Sequence, residues 1–251
     1  MIERDGFAVM ERLLDVDAVT SLLDSFFHHE RSSIPTSAEI LYTHAPPPPN
    51  TPGMERLMHQ WLNPHRRPPP LSTRAVAAHV RPTVEALLGE PAVLFQDVLM
   101  DKGDEQGPFP WHQDYPFWPV DEPRGVVVWA PLDPVDELSG GLSLAIGSHH
   151  SGIGPAIDLH TGGAQSGSTG VPIDPARYEA HHARLDPGDA IVFHPLTWHA
   201  SQPNRSGRRR RVWASTWLAR SARFSHANAP RHPLCKLTRD GAFVGSLEGE
   251  F

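Results

Sequence analysis

The stretch PWHQDYPFW, residues 110–118, places a histidine and a carboxylate two positions apart among aromatic rings and prolines. In a strand, residues i and i+2 point to the same face, so His112 and Asp114 would project side by side. A carboxylate among aromatic rings is costly unless its charge is compensated, and a cation bound jointly with the imidazole would compensate it. A hydrogen bond between the two side chains explains the same spacing, and His-x-Asp alone favours that plainer interpretation.

A later segment, GDAIVFHPLTWHASQPN at residues 188–204, offers a third ligand. It predicts a strand followed by a turn, and the turn carries His194 and His199, either of which can supply a nitrogen from the far side of a barrel. Two histidines and one carboxylate on one face of an octahedron form the non-haem Fe(II) triad, which leaves three positions for a bidentate substrate and dioxygen. Zinc sites with these ligands exist as well. The chain has 16 histidines, so most of them are expected to be solvated or structural.

The arginine run in RRRRVWASTWL, residues 208–218, contains a candidate for binding a carboxylate. Such a run most often marks a solvated strand end. Strand alternation, however, places Arg210 on the face that carries three small side chains, those of Val212, Ala214 and Thr216. A guanidinium holds a carboxylate bidentately and keeps its charge, so Arg210 suits the distal end of a dicarboxylate. The pattern does not decide which face is inside.

The elements that must position these residues are mostly strands. Five short β-rich runs follow residue 91 and are separated by Gly, Pro, Asp and Ser: VLFQDVLM, GVVVWAPL, GLSLAI, DAIVFH and RVWASTWL. With no helical pattern between them, they predict an antiparallel sandwich or barrel such as a jelly roll. The fold class is therefore predicted to be mainly β with flanking helices.

The first third of the chain predicts two helices. One follows Asp15 as N-cap, and the other spans residues 72–90, where Pro82 is expected to force a kink or a break. We expect a single domain over residues 1–251, in which a helical part, 1–90, packs on a barrel, 91–220, and an extension, 221–251, follows. The proline-rich residues 44–71 are predicted to be surface loop, and with residues 154–175 they are candidate lids.

Composition and charge point to a small-molecule partner. The net charge of −7 and the pI near 6.1 give no support for nucleic-acid binding. The longest apolar run, near residues 126–130, is too short to cross a bilayer, so no membrane partner is expected. Cys235 is the only cysteine, which excludes an internal disulfide and fits a reducing cytoplasm. The oligomeric state is not readable from the sequence.

Several linked motifs resemble, in order and spacing, the phytanoyl-CoA dioxygenase family of Fe(II)/2-oxoglutarate oxygenases. They are DGFAVMERLLD, HQD at residues 112–114, GGLSLAIGSHHSG, LDPGDAIVFHPLTWH and HASQPNRSGRRRR, and the resemblance covers roughly residues 4–220. One position departs from the family pattern: Ile146 stands where the family usually has proline before Gly-Ser-His. The resemblance implies a double-stranded β-helix, the cupin-like jelly-roll barrel.

Matched position by position, the resemblance implies that His112, Asp114 and His199 bind iron and that Arg210 holds the distal carboxylate of 2-oxoglutarate. The other positions implied to face this cosubstrate are Lys102, Gln113, Trp129 and Ser201. For Trp129 and Ser201, packing against the sheet explains the residue type equally well. His194 is then left with a structural or substrate-facing role.

The substrate side is less defined. The aromatic residues Tyr115, Phe117 and Trp118 suit an apolar or ring-bearing substrate, although core packing explains them about as well. The resemblance implies dioxygen as a further cosubstrate and the hydroxylation, or another oxidation, of an unactivated C–H bond in a small organic molecule, with release of succinate and carbon dioxide. Because Asp114 is present, hydroxylation is favoured over halogenation. Only two lysines among 22 basic residues, with abundant Ala, Gly and Pro, indicate a GC-rich bacterial genome and suggest a secondary metabolite as substrate.

Two other classes of protein remain open from the residues alone. A metal-dependent, cupin-like hydrolase or isomerase would use the triad without needing Arg210. A non-catalytic small-molecule-binding barrel would need neither, so an intact triad with the arginine argues against it.

Overall fold

The computed structural model describes residues 2–31, 43–45, 58–157, 165 and 173–247. Three α-helices lie in the first third of the chain: α1 (Ile2–Asp5), α2 (Val16–Arg31) and α3 (Arg74–Leu88). The predicted N-cap of α2 is confirmed, because Asp15 Oδ1 accepts the N–H of Ala18 at 2.8 Å. The helix α3 ends at Gly89, which adopts a left-handed φ of 72°.

Of the two outcomes expected at Pro82, the break is wrong, because α3 runs through this residue, and the kink stays a prediction. Proline removes one helix hydrogen bond, and the carbonyl that loses its partner is that of residue 78. Both Pro82 and Ala78 are exposed. Water can therefore take the place of the missing N–H, and the helix continues.

Two antiparallel sheets make up the rest of the described chain. The larger sheet has the order β1-β9-β6-β11-β4-β3-β2 and the smaller one the order β5-β10-β7-β8. The strands are β1 (Phe7–Met10), β2 (Thr43–Ala45), β3 (His59–Leu62), β4 (Ala92–Lys102), β5 (Phe109–His112), β6 (Gly125–Pro131), β7 (Leu142–Ala145), β8 (Ala180–His182), β9 (Ala190–Phe193), β10 (His199–Ser201) and β11 (Arg210–Ala219). Together they form the predicted jelly-roll fold.

The prediction of a surface loop over residues 44–71 is wrong in part. The strand β3 pairs with β4 inside the larger sheet, and Trp61 on β3 is 4% exposed. The prolines of this region lie at positions 46–49, 52, 64 and 68–70, so they flank β3 instead of interrupting its hydrogen bonds. Residues 46–57, and most of the predicted lid at 154–175, lie outside the described residues.

The larger sheet separates two apolar cores. Its inner face, which includes Val212 and Leu218 of β11, meets the smaller sheet. Its outer face, which includes Trp213 and Trp217, packs on α2 and α3. Alternation along β11 therefore places Arg210 inside the barrel, the face that the sequence left undecided.

The C-terminal extension also reaches the inner core. Its buried residues Leu234, Val244 and Leu247 pack there, and Phe224 pairs with Val120 in an isolated bridge. The single-domain organisation of residues 1–251 stays a prediction. Among the described helices, none has the length and apolar character that crossing a membrane requires.

Candidate active site

His112, Asp114 and His199 come together inside the barrel. The strands β5 and β10 are antiparallel neighbours in which His112 and His199 are register partners, so their rings lie 4.0 Å apart. Asp114 follows β5, and its N–H donates to the carbonyl of Pro195 at 3.1 Å. Asp114 Oδ1 lies 3.5 Å from His112 Nε2 and 3.7 Å from His199 Nε2. One ligand atom from each residue lies within 4.8 Å of the others, a spacing that a single metal ion can bridge.

Both imidazoles are oriented by the backbone. His112 Nδ1 lies 2.8 Å from the carbonyl oxygen of Pro110, and His199 Nδ1 lies 2.9 Å from that of Thr197. A carbonyl only accepts, so each Nδ1 carries the proton and each Nε2 keeps its lone pair. Metal-binding histidines are commonly held in this way by a hydrogen bond from the second ring nitrogen. The cluster therefore presents two nitrogen donors and one carboxylate, the set that non-haem iron prefers.

The charges of the three groups agree with metal binding. Burial lowers the pKa of His199 to about 4, with a further contribution from His112, so this imidazole is neutral at neutral pH. Burial pushes the pKa of Asp114 upward, but His199 and His112 outweigh it and hold that pKa below its usual value. The side chain of Asp114 is 22% exposed, so the cluster is not closed off from solvent.

Arg210 is a buried cation that has no counter-ion in contact among the described residues. Its exposure is 1%, and its Nε and Nη2 have no hydrogen-bond partner among the described residues. Burial lowers its pKa to about 10, so the guanidinium remains charged at neutral pH. Its Cζ lies 5.5 Å from the ring centre of Trp129 on β6. A buried guanidinium with unsatisfied nitrogens is suited to binding an anion.

Lys102 is a second buried cation beside the first. It is the register partner of Arg210 across β4 and β11 and has no exposed surface. Its Nζ donates to Ser201 Oγ and to the carbonyl of Gln202, both at 2.8 Å. Burial, followed by repulsion from Arg210, lowers the pKa of Lys102 to about 6. The structure thus brings Lys102, Arg210, Ser201 and Trp129 together, as the predicted cosubstrate site requires.

Gln113 has its amide fully engaged by the backbone. Its Nε2 donates to the carbonyls of Gly152 and Leu196, at 2.9 and 2.7 Å, and its Oε1 accepts the N–H of Gly154 at 2.6 Å. It therefore connects the segment after β7 to the turn before His199. Contact between Gln113 and the cosubstrate stays a prediction.

The three aromatic residues after Asp114 lie mainly in the core. Tyr115 and Trp118 are 3% and 6% exposed, and the Tyr115 hydroxyl donates to the carbonyl of Asp121 at 2.9 Å. Phe117 is half-buried against the same core. Core packing thus accounts for Tyr115 and Trp118, and a substrate contact by any of the three stays a prediction. His194 lies apart from the triad, with its Nδ1 accepting the N–H of Leu196 at 3.1 Å.

One contributor to the site has no local signal in the sequence. Asn228, in the C-terminal extension, donates its side-chain amide to the carbonyls of Trp118 and Tyr115, at 2.7 and 3.4 Å. These bonds fasten the segment that follows Asp114. Because the partners are more than 100 residues apart, only the folded chain brings them together.

Comparison with known proteins agrees with this geometry. The family model for phytanoyl-CoA dioxygenase (PhyH) matches residues 2–212, which contain the triad, Lys102 and Arg210. The L-proline trans-4-hydroxylase of Streptomyces griseoviridis is 29% identical over 60% of this chain and 61% of its own length. The 1-deoxypentalenic acid 11-beta-hydroxylase of Streptomyces arenae is 30% identical over 49% of this chain. The matches span only 61% and 46% of the lengths of these two relatives.

Solved structures show the same fold. The epimerase SnoN from nogalamycin biosynthesis, solved with Fe3+, alpha ketoglutarate and nogalamycin RO, superposes with a TM-score of 0.72 at 17% identity, covering 97% of this chain and 92% of that one. The donor set of the triad fits an iron ion, and the unsatisfied nitrogens of Arg210 fit the distal carboxylate of 2-oxoglutarate.

Proposed function

The chain belongs to the phytanoyl-CoA dioxygenase family, and from this premise we propose that it is an Fe(II)/2-oxoglutarate-dependent dioxygenase. In this proposal it hydroxylates, or otherwise oxidises, an unactivated C–H bond of a small organic substrate. The observation that carries the proposal is the pairing of an open His-Asp-His cluster with a buried arginine that has no anion to bind. A hydrolase would need only the first of these two features.

The triad would hold the metal. His112 and His199 would bind it through Nε2, because their Nδ1 protons are engaged by backbone carbonyls. Asp114 would add the carboxylate ligand, and the loss of solvent around its charge would then be compensated by the metal. When bound, Fe(II) and 2-oxoglutarate supply the oxidation of a C–H bond by dioxygen, with release of succinate and carbon dioxide.

The cosubstrate would bind between the triad and β11. Arg210 would take the distal carboxylate with its two unsatisfied nitrogens. Since Ser201 Oγ accepts from Lys102, its own proton is free to be donated to the same carboxylate. Trp129 would cover the guanidinium, which keeps water away from the ion pair.

The substrate is proposed to be a small secondary metabolite of bacterial origin. Two curated relatives of the chain are named as hydroxylases of proline and of a pentalenic acid, and solved structures of the same fold belong to nogalamycin biosynthesis. An intact Asp114 supports hydroxylation over halogenation, because the carboxylate occupies the coordination position that a halide would need. Absence of nucleic-acid and membrane partners and a cytoplasmic location stay predictions.

The test is an anaerobic titration of the Fe(II)-loaded protein with 2-oxoglutarate, in which the visible charge-transfer band of the chelate is recorded. The wild type should develop the band, and Asp114→Ala should weaken or lose it. Asp24→Ala, an exposed carboxylate on α2, is the control and should behave as the wild type. Iron binding without any band in the wild type would contradict the proposal and favour a metal-dependent hydrolase or isomerase.

A further inference from the structure

The inner face of the β4–β11 pair changes character along its length. Register partners on this face run from Lys102–Arg210 through Met100–Val212 and Val98–Ala214 to Gln96–Thr216. The face therefore begins with two cations, continues with two apolar pairs and ends with a neutral polar pair. A molecule lying along this face would meet these three environments in turn.

A cavity lies in front of the apolar section. The side chain of Ala214 is half-buried although β11 is covered by β4 on one side and β6 on the other. Its cross-strand partner Val98 is half-buried as well. Because the neighbouring strands cover the edges of β11, the exposed surface of Ala214 must face the barrel interior. The side chain of Asp114, which lies inside the same barrel, is 22% exposed as well.

The polar pair at the end of this face has no protein partner. Gln96 is half-buried and Thr216 is 9% exposed, and neither side chain makes a hydrogen bond within the described ranges. The polar atoms of both side chains keep some accessible surface, so this amide and this hydroxyl, which lie opposite each other, are available to hydrogen-bond with a ligand inside the barrel.

The C-terminal extension brings a third polar group to the same end of β4. The ring of His232 stacks on Phe95, with centres 5.4 Å apart. Phe95 is the residue skipped by the register shift between Gln96 and Leu94, and it lies in the inner core. Its Nδ1 accepts the N–H of Leu234 at 3.2 Å, so the ring proton is on Nε2, a donor. Burial lowers the pKa of His232 to about 4, so the ring is neutral at neutral pH. His232 lies outside residues 2–212, the range that the family model matches.

We propose that Gln96, Thr216 and His232 form the polar end of the substrate site and bind an uncharged hydroxyl or carbonyl group of a substrate whose apolar body lies against Val98 and Ala214. The inference rests on the proposed function, since it deepens the same site. The charges on the inner face of β4 and β11 are those of Lys102 and Arg210 at the opposite end. A charged group beside Gln96 would lose its hydration without gaining a counter-ion, which disfavours a carboxylate there.

The test compares two probes that share one apolar cage, adamantanol and adamantanecarboxylate. Both are titrated anaerobically against the protein loaded with Fe(II) and 2-oxoglutarate, and binding is followed by calorimetry and by the shift of the chelate band. The alcohol should bind at least about tenfold more tightly than the carboxylate. Gln96→Leu and Thr216→Val should each weaken alcohol binding by about fivefold to tenfold and leave 2-oxoglutarate binding unchanged.

Two further variants complete the design. His232→Phe keeps the ring stacking and removes the N–H, and it should weaken alcohol binding severalfold. The control is Ser215→Ala. Ser215 lies on the same strand but on its outer face, where its Oγ accepts a hydrogen bond from Trp217. This substitution should therefore leave alcohol binding unchanged. Equal or tighter binding of the carboxylate, unaffected Gln96 and Thr216 variants, or no binding of the alcohol would overturn the inference. If one of these results is obtained with a protein that forms the chelate band, only the inference about the substrate site is wrong. If the band itself is missing, the proposed function is wrong.

Discussion

Two carboxylates, each beside histidine, lie in different parts of this molecule and differ in how many hydrogen-bond donors surround them. Asp97, on the outer face of β4, accepts from the backbone N–H and Nδ1 of His65, from Thr73 Oγ1 and from Trp213 Nε1. Within the described part of the chain, the side chain of Asp114, inside the barrel, has no donor closer than the imidazole nitrogens of His112 and His199, at 3.5 and 3.7 Å. The first carboxylate is saturated and the second is not. Saturation by protein donors therefore separates a structural carboxylate from one that is free to bind a ligand.

The donors of Asp97 come from separate elements, which explains its role. His65 belongs to the short helical turn Pro64–Arg66, Thr73 precedes α3, and Trp213 lies on β11. Burial pushes the pKa of Asp97 upward, but His65, Thr73 and Trp213 together hold it below its usual value. The charged carboxylate thus fastens the helical layer to the outer face of the sheet.

The largest effect is expected at the unsaturated centre. Asp114→Ala should lower Fe(II) affinity by about 1000-fold, or about 4 kcal/mol, because it removes one of three ligands. The metal-free form of this variant should have the same urea midpoint of unfolding as the metal-free wild type, because no hydrogen-bond donor of the protein loses its acceptor. Equilibrium dialysis of Fe(II) and urea denaturation measure the two quantities. Wild-type iron affinity in the Asp114→Ala protein would show that Asp114 is not a metal ligand and would contradict the distinction drawn between the two carboxylates.

The saturated centre should respond in the opposite way. Asp97→Ala should reduce the free energy of unfolding by about 3 kcal/mol, because three buried side chains lose their acceptor. Fe(II) affinity of the folded fraction should stay within about twofold of the wild type. The same denaturation and dialysis experiments apply. A loss below about 1 kcal/mol would show that Asp97 is not the anchor of the helical layer.

The arginine run provides a matched pair of cations. Arg210→Gln should weaken 2-oxoglutarate binding by about 2–3 kcal/mol, measured by calorimetry on the Fe(II)-loaded protein under anaerobic conditions, because a buried carboxylate would lose its partner. Arg209→Gln, which removes exposed contacts to Asp101 and Glu30, should change that affinity by less than about 0.5 kcal/mol. Equal effects of the two substitutions would contradict the assignment of the inner arginine.

Lys102 should make 2-oxoglutarate binding depend on pH. Its pKa is about 6 without an anion, and a carboxylate nearby raises it, so binding at pH 7 should take up a fraction of a proton. Calorimetry in buffers with different ionisation enthalpies measures this uptake. Lys102→Met should abolish it. Uptake that persists in Lys102→Met would assign the proton to another group.

The smallest effect concerns acid stability. The folded pKa of Asp97 is lowered, so its contribution is fully present above the unfolded carboxyl pKa of about 3.9 and is lost as pH falls through the folded value. The stability difference between wild type and Asp97→Asn should therefore be larger at pH 6 than at pH 3, by about 1 kcal/mol. Urea denaturation at both pH values tests it, and a constant difference would argue against a charged Asp97.

The sequence predicts the inner centre better than the outer one for a physical reason. His112 and Asp114 are two residues apart, and strand alternation relates them directly. Alternation along β11 places the side chain of Arg210 on the opposite face from those of its neighbours Arg209 and Arg211. Only the arrangement of the two sheets shows which of these faces is inside the barrel. His65 lies 32 residues before Asp97, so no local pattern relates the two residues.

The C-terminal extension shows the same limit at longer range. Asn228 contacts Trp118, and His232 contacts Phe95, although more than 100 residues separate the partners in each pair. Only the folded barrel brings these partners together. The helix through Pro82 and the strand β3 were mispredicted for a related reason. In both cases the exposure or the flanking position of the prolines, which only the fold defines, decides whether a proline interrupts the element.

The run of four arginines ensures that positive charge lies at the start of β11, but it does not determine the register of the strand. A slip by one residue would still bring an arginine into the barrel, while turning Trp213 inward as well. The hydrogen bond from Trp213 Nε1 to Asp97 holds the indole outside, at 3.0 Å. The outer carboxylate therefore fixes which face of β11 is outward, and with it which of the four arginines, Arg210, lies inside the barrel.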